Sequence, residues 1–78
     1  DDKLEASEFI VQPGFDYEDM TLAELSKRMK ENILIGGIQR DNVLIIPGGD
    51  DVIQVGDRVI VVAANQPIRD LTDIMKED

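Results

Sequence analysis

Two stretches of this chain refuse to alternate: Ile33-Leu34-Ile35 and Val59-Ile60-Val61-Val62 are apolar at every position. In a strand, successive side chains point to opposite faces, so a run without polar partners needs both faces of its sheet shielded from water. A chain of 78 residues is one domain at most. The two short helices that its pattern offers suffice for one face. The other face needs a second copy or a neighbouring domain, which makes the expected molecule an interaction module and a homodimer.

The remaining elements follow from local signals. Residues 1–6 read as a frayed lead-in and 7–76 as the folded domain. Ser7 to Gln12 places Phe9 and Val11 on one side of a strand, with Glu8 and Ile10 on the other, until Pro13-Gly14 stops it. Thr21 and Glu24 have the spacing of a capping box, and Met20 and Leu25 that of a hydrophobic staple. Leu22, Leu25 and Met29 continue as one apolar stripe, so the spacing predicts a helix over 22–31 that Asn32 ends. Ile33–Ile38, Val43–Ile46 and Arg58–Ala64 are short and rich in β-branched residues, hence strands. Asp41-Asn42 suits a tight hairpin. Val52, Ile53 and Val55 offer a further short strand or turn. A closing helix starts near Asn65 and Pro67 and carries Ile68, Leu71, Ile74 and Met75. The fold class is α+β, in the order β-α-β-β-(β)-β-α, with a mixed sheet covered by two helices on one face and a dimer partner on the other.

Composition then removes whole classes of function. Seventeen Asp+Glu against 8 Lys+Arg give a net charge of −9, which disfavours nucleic acid and anionic membrane surfaces as partners. Apolar residues at 42% are too many for a disordered acidic tail. Without cysteine or histidine there is no thiolate or imidazole, so the usual nucleophilic triads and zinc sites are excluded. A metal would have to be a hard ion held by oxygen, but Asp16, Glu18, Asp19, Asp50, Asp51 and Asp57 lack EF-hand spacing, and no metal site is expected. Asp57 most simply caps the turn at Gly56. Gly36-Gly37 and Gly48-Gly49 fit no phosphate loop; the first pair suits a bulge within a strand or close approach of a partner chain. The acids sit in loops without a basic partner, so no catalytic residue is assigned and no enzyme is expected. No apolar run reaches the ~20 residues of a membrane span, and nothing at the start reads as a signal peptide.

The succession Leu22-Ala23-Glu24-Leu25, Ile33-Leu34-Ile35-Gly36-Gly37-Ile38-Gln39-Arg40, Ile45-Ile46-Pro47 and Gln54-Val55-Gly56-Asp57-Arg58-Val59-Ile60-Val61-Val62 resembles the TrkA-C domain. That domain is the C-terminal lobe of RCK proteins, the regulators of potassium conductance. The resemblance runs from about Ser7 to Ile74. It departs from the family pattern at Asp19 and Asn32, where glycine is usual, and at Ser26, where some relatives carry aspartate. It implies a cytoplasmic regulatory lobe at the inner face of the plasma membrane. Its expected partners are an N-terminal nucleotide-binding RCK lobe and a membrane potassium transporter subunit, with no membrane insertion of its own. No cofactor is expected in this stretch. Some relatives bind cyclic di-AMP across the two-fold axis of the lobe, and the matching positions here are Arg28 and Arg40 for phosphate, Ile46 and Pro47 for the bases, and Leu22 as a wall. The plainer reading of Arg40 is a solvated turn cation paired with Asp41. A lobe that dimerises and binds nothing small is the alternative, as is service to another ion transporter.

Overall fold

The computed structural model describes residues 3–77. The first two residues of the expected lead-in lie outside them. Four strands form one sheet: β1 (Leu4–Ile10), β2 (Ile33–Arg40), β3 (Val43–Ile45) and β4 (Arg58–Ala64), in the spatial order β1-β4-β2-β3. A five-residue helix α1 (Leu22–Ser26) and a 3-10 turn (Leu71–Ile74) accompany it. β1 begins at Leu4 rather than Ser7, because its ladder with β4 runs on to Ala64.

Every pairing is antiparallel, which corrects the expected mixed sheet. β1 and β2 do run in the same direction, as a strand-helix-strand order suggests. They are not neighbours, however, because β4 lies between them and opposes both. The optional strand at Val52–Val55 is a single bridge, Thr21 to Val52, although Ile53 beside it is fully buried.

Helix α1 is shorter than its stripe predicts. After Ser26 the amides of Lys27, Arg28 and Met29 bond three residues back, to Glu24, Leu25 and Ser26, the tighter turn that ends many helices. Met29 then leaves the helix and bridges Met75. Lys30 N–H donates to the Ile74 carbonyl and Lys76 N–H to that of Arg28, each at 2.8 Å. Met29 is buried as its spacing required, but from a position beyond the end of the helix. The closing helix is likewise reduced to the 3-10 turn, capped by reciprocal bonds between Asp70 and Asp73. Ile68, Leu71 and Ile74 are buried from it and its approach.

The core lies on one face of the sheet. Val59, Val61 and Ala63 of β4 and Ile35 and Ile38 of β2 meet Leu25, Ile53 and Ile74, each valine, leucine and isoleucine contributing roughly 1.5–3 kcal/mol by leaving water. Ile35 and Ile38 are three apart, so a regular strand would point them to opposite faces. Gly36 is the extra residue of a bulge: Ile35 pairs with Val61 and Gly37 with Ile60, and the phase reset turns both isoleucines inward. At the far end of β2, Asp41 (φ 52°) and Asn42 (φ 66°) make the two-residue hairpin turn to β3, the positive φ values matching the twist of the strands.

No described element covers the other face. Ile60, Val62 and Ala64 are half-buried there, flanked by exposed Leu4, Leu34 and Leu44. Glu8 and Arg58 lie across it, 3.9 Å apart.

Candidate functional site

Helix α1 is too short to hold itself, and its first turn is fixed by neighbours. Thr21 Oγ1 accepts from Glu24 N–H at 3.3 Å, one half of the expected capping box, while the Glu24 carboxylate pairs with Lys27 at 3.3 Å. Leu22 N–H donates to the Asp51 carbonyl at 2.8 Å and Ala23 N–H to that of Gly49 at 3.0 Å. The loop itself is closed by Asp51 Oδ2, which accepts from Gly48 N–H at 2.7 Å. A Cβ on Gly49 would stand 3.4 Å from that of Ala23, so helix and loop lie in close contact.

These contacts leave an open groove of about 240 Å³ beside the first half of β2. Leu22, Ala23, Ser26 and Met29 form one wall, Ile33, Leu34 and Ile35 the floor, and Pro47, Gly48 and Gly49 the other wall. The lining is mainly apolar and carries no charged side chain. Such a lining can take up an apolar surface but supplies no charge of its own.

Of the five positions singled out from sequence, Leu22 and Pro47 share this groove. Ile46 precedes Pro47 but is 76% exposed and outside the lining. Arg28 follows the lining residue Ser26 by two positions and is exposed.

Arg40 is elsewhere and already engaged. Its Nε donates to Asp57 Oδ1 at 2.9 Å and its Nη2 to Asp57 Oδ2 at 2.8 Å, and Nη2 also reaches the Val52 carbonyl at 2.9 Å. The expected pairing with Asp41 is therefore replaced by a fork on Asp57, whose side chain is 2% exposed. Asp57 also accepts from Gln54 N–H at 2.9 Å, which is the turn cap expected of it. The Arg40 hydrogen bond holds the Asp57 carboxyl below its ordinary value, against the opposing effect of burial. The same bond raises the Arg40 guanidinium further. A fork of this kind is a structural clamp. The signal that could have found it is register: Arg40 lies two residues after the inward Ile38, and a charge in that phase needs a partner.

Other acids are also committed. Glu18 accepts from Val55 N–H at 3.2 Å, and Asp73 from the amides of Arg69 and Asp70 at 3.0 Å each.

Comparison with known proteins gives two findings. The family model of the TrkA-C domain matches residues 6–76. A protein of Archaeoglobus fulgidus described as a Trk system potassium uptake protein TrkA homolog is 32% identical over 72 residues. The match takes in 92% of this chain and 16% of that relative, so the chain spans a small part of the relative's length.

Proposed function

This chain belongs to the TrkA-C domain family, and from that premise we propose that it is the regulatory lobe of a potassium uptake system. In this reading it works as a homodimer on the cytoplasmic side of the membrane. It is joined to a nucleotide-binding RCK lobe and acts on a membrane transporter subunit. Its groove senses a small anionic nucleotide, cyclic di-AMP. No described helix is long and apolar enough to cross a membrane, and the bare sheet face offers apolar surface for a protein partner.

The observation that carries the ligand reading is the apolar groove between α1 and Pro47–Gly49. In this reading Leu22 and Pro47, which line the groove, contact a base, and Arg28 meets phosphate, while Arg40 is committed to Asp57. Because the surface as a whole repels a dianion, attraction must be local, and a two-fold axis supplies Arg28 twice. Micromolar affinity, about −8 kcal/mol, is the scale of such a site.

Calorimetric titration of cyclic di-AMP tests it. Binding that Arg28→Ala weakens and Arg40→Lys leaves unchanged supports the reading. Absence of heat and of a thermal shift at about 300 μM, well above that scale, leaves a purely structural dimerisation lobe.

A further inference from the structure

Strand β1 forms one edge of the sheet, with β4 as its neighbour on one side and no strand on the other. The ladder shows which of its backbone groups are used. Asn65 N–H donates to the Lys3 carbonyl, and beyond the other end Val11 N–H donates to that of Asp57. Odd-numbered residues of this segment therefore bond inward. Glu5, Ser7 and Phe9, opposite Ala63, Val61 and Val59, are spent on β4. Leu4, Ala6, Glu8 and Ile10 point their N–H and C=O groups away from the sheet. Among the described residues only the Ile10 carbonyl finds a partner there, Gln12 Nε2 at 3.4 Å.

A seven-residue edge with unpaired donors and acceptors is a template for another strand. Its charges decide which strand. Glu5 and Glu8 are both exposed. Glu8 has Arg58 at 3.9 Å, and Glu5 has no ionic partner among the described residues. A second copy of β1 would set both glutamates of each chain on one short ladder, between chains that each carry a net −9. A basic strand would meet opposite charge at both positions. Leu4 and Ile10, 74% and 50% exposed, offer it apolar contact at either end. The chain's own basic run, Lys27, Arg28 and Lys30, is already folded at the end of α1, so the strand must come from a different protein.

We propose that the β1 edge takes up an extended basic segment of a partner protein as a further strand of the sheet. For an antiparallel segment the register writes its pattern. Lys or Arg stands opposite Glu8 and again, three positions on, opposite Glu5. Apolar residues face Ile10, Ala6 and Leu4 and so continue the outer face. The position opposite Glu5 is a non-hydrogen-bonded pair, where side chains come closest. The edge is separated from β2 and its groove by β4, so this partner is independent of the dimer and ligand of the preceding section.

The probe is a labelled synthetic peptide, Ile-Thr-Lys-Thr-Val-Lys-Val, titrated into the chain and followed by fluorescence anisotropy. Its binding should slow hydrogen exchange at the amides of Leu4, Ala6, Glu8 and Ile10 and leave those of Ile33 and Ile35 unchanged. The same peptide with glutamate for both lysines should bind at least about tenfold more weakly, and a chain carrying Glu5→Lys and Glu8→Lys should reverse that preference. Ala6→Pro should abolish binding while circular dichroism shows the fold retained, because a proline there removes only an outward N–H. N-methylation of the peptide residue opposite Ala6 should do the same with the chain unaltered. Binding that leaves those amides exchanging, or that survives N-methylation, is attraction to a −9 surface and would refute strand addition. Equal affinity for the two peptides, or no binding at hundreds of micromolar, would refute the basic partner. Self-association lost in Ala6→Pro would assign the edge to a second copy and overturn the proposal.

Discussion

Arg40 and Asp57, seventeen residues apart in sequence, meet through two parallel hydrogen bonds of 2.9 and 2.8 Å. The pair ties the end of β2 to the turn that launches β4, and the Val52 carbonyl brings a third segment to the same guanidinium. A charge placed in the inward phase of a strand is thereby converted into a brace between segments with no local connection.

Breaking that brace from one side should be costly. Asp57→Ala leaves the guanidinium without its carboxylate, and Arg40→Ala leaves a buried carboxylate unpaired, so each should lower unfolding stability by about 2–4 kcal/mol. Arg40→Lys should cost about 1–2 kcal/mol, since an ammonium cannot reproduce the fork. Urea unfolding monitored by circular dichroism measures all three, and a wild-type midpoint for Asp57→Ala would contradict the role assigned to it.

The same pair sets an acid limit. Asp57 titrates below its ordinary value of 3.8 in the folded chain because Arg40 bonds its charged form. A depressed folded value means that the stabilisation is complete above the unfolded value and is lost as pH falls through the folded one. Stability should therefore be flat from about pH 7 to 5 as far as this group is concerned, and should fall below about pH 4. Asp57→Asn should be less stable at neutral pH and show a shallower acid loss. Parallel slopes for the two chains would show that other carboxyls carry the effect.

The hairpin at Asp41-Asn42 makes a conformational prediction. Asn42→Gly should change stability by less than about 0.5 kcal/mol, since glycine adopts positive φ freely. Asn42→Val should cost about 1–2 kcal/mol, because a β-branched residue is strained there. Thermal midpoints separate the two, and an unaltered Val variant would mean that the turn adopts another form.

Charge should oppose assembly. Two chains of −9 repel each other at low ionic strength, and salt screens that repulsion over a Debye length of about 10 Å at 0.1 M. Association measured by sedimentation should thus tighten severalfold between about 0.02 and 0.3 M salt. Weakening with salt would point instead to an interface built on ion pairs.

Local chemistry was legible wherever one or two adjacent residues decide the backbone. Asp41-Asn42 fixed the hairpin, Gly36-Gly37 the bulge, and β-branched runs the positions of β2, β3 and β4. Met29 shows where periodicity misleads. Its spacing from Leu22 and Leu25 is that of a helix, but the backbone there bridges Met75, forty-six positions away, and no local pattern contains that contact. The candidate site divided in the same way. Leu22 and Pro47 fell on one groove, whereas the commitment of Arg40 to Asp57 depends on how β4 docks. The sheet order was hidden for the same reason: β4 enters between two strands that precede it.

That insertion governs the route by which the chain assembles. The β2–β3 hairpin needs only a two-residue turn, so it can form first. β4 then closes on β2, with Val59 opposite Ile38. β1, made before either, has no neighbour until β4 is in place, since Phe9 pairs with Val59 about fifty residues later. With β4 already docked on β2, the loop left to close is residues 11–32, at roughly 2.7 kcal/mol of chain entropy beyond a constant term, by (3/2)RT ln n. In pulse-labelled refolding the amides of β1 should gain protection after those of β2 and β3, because the earliest strand in the sequence waits for the latest.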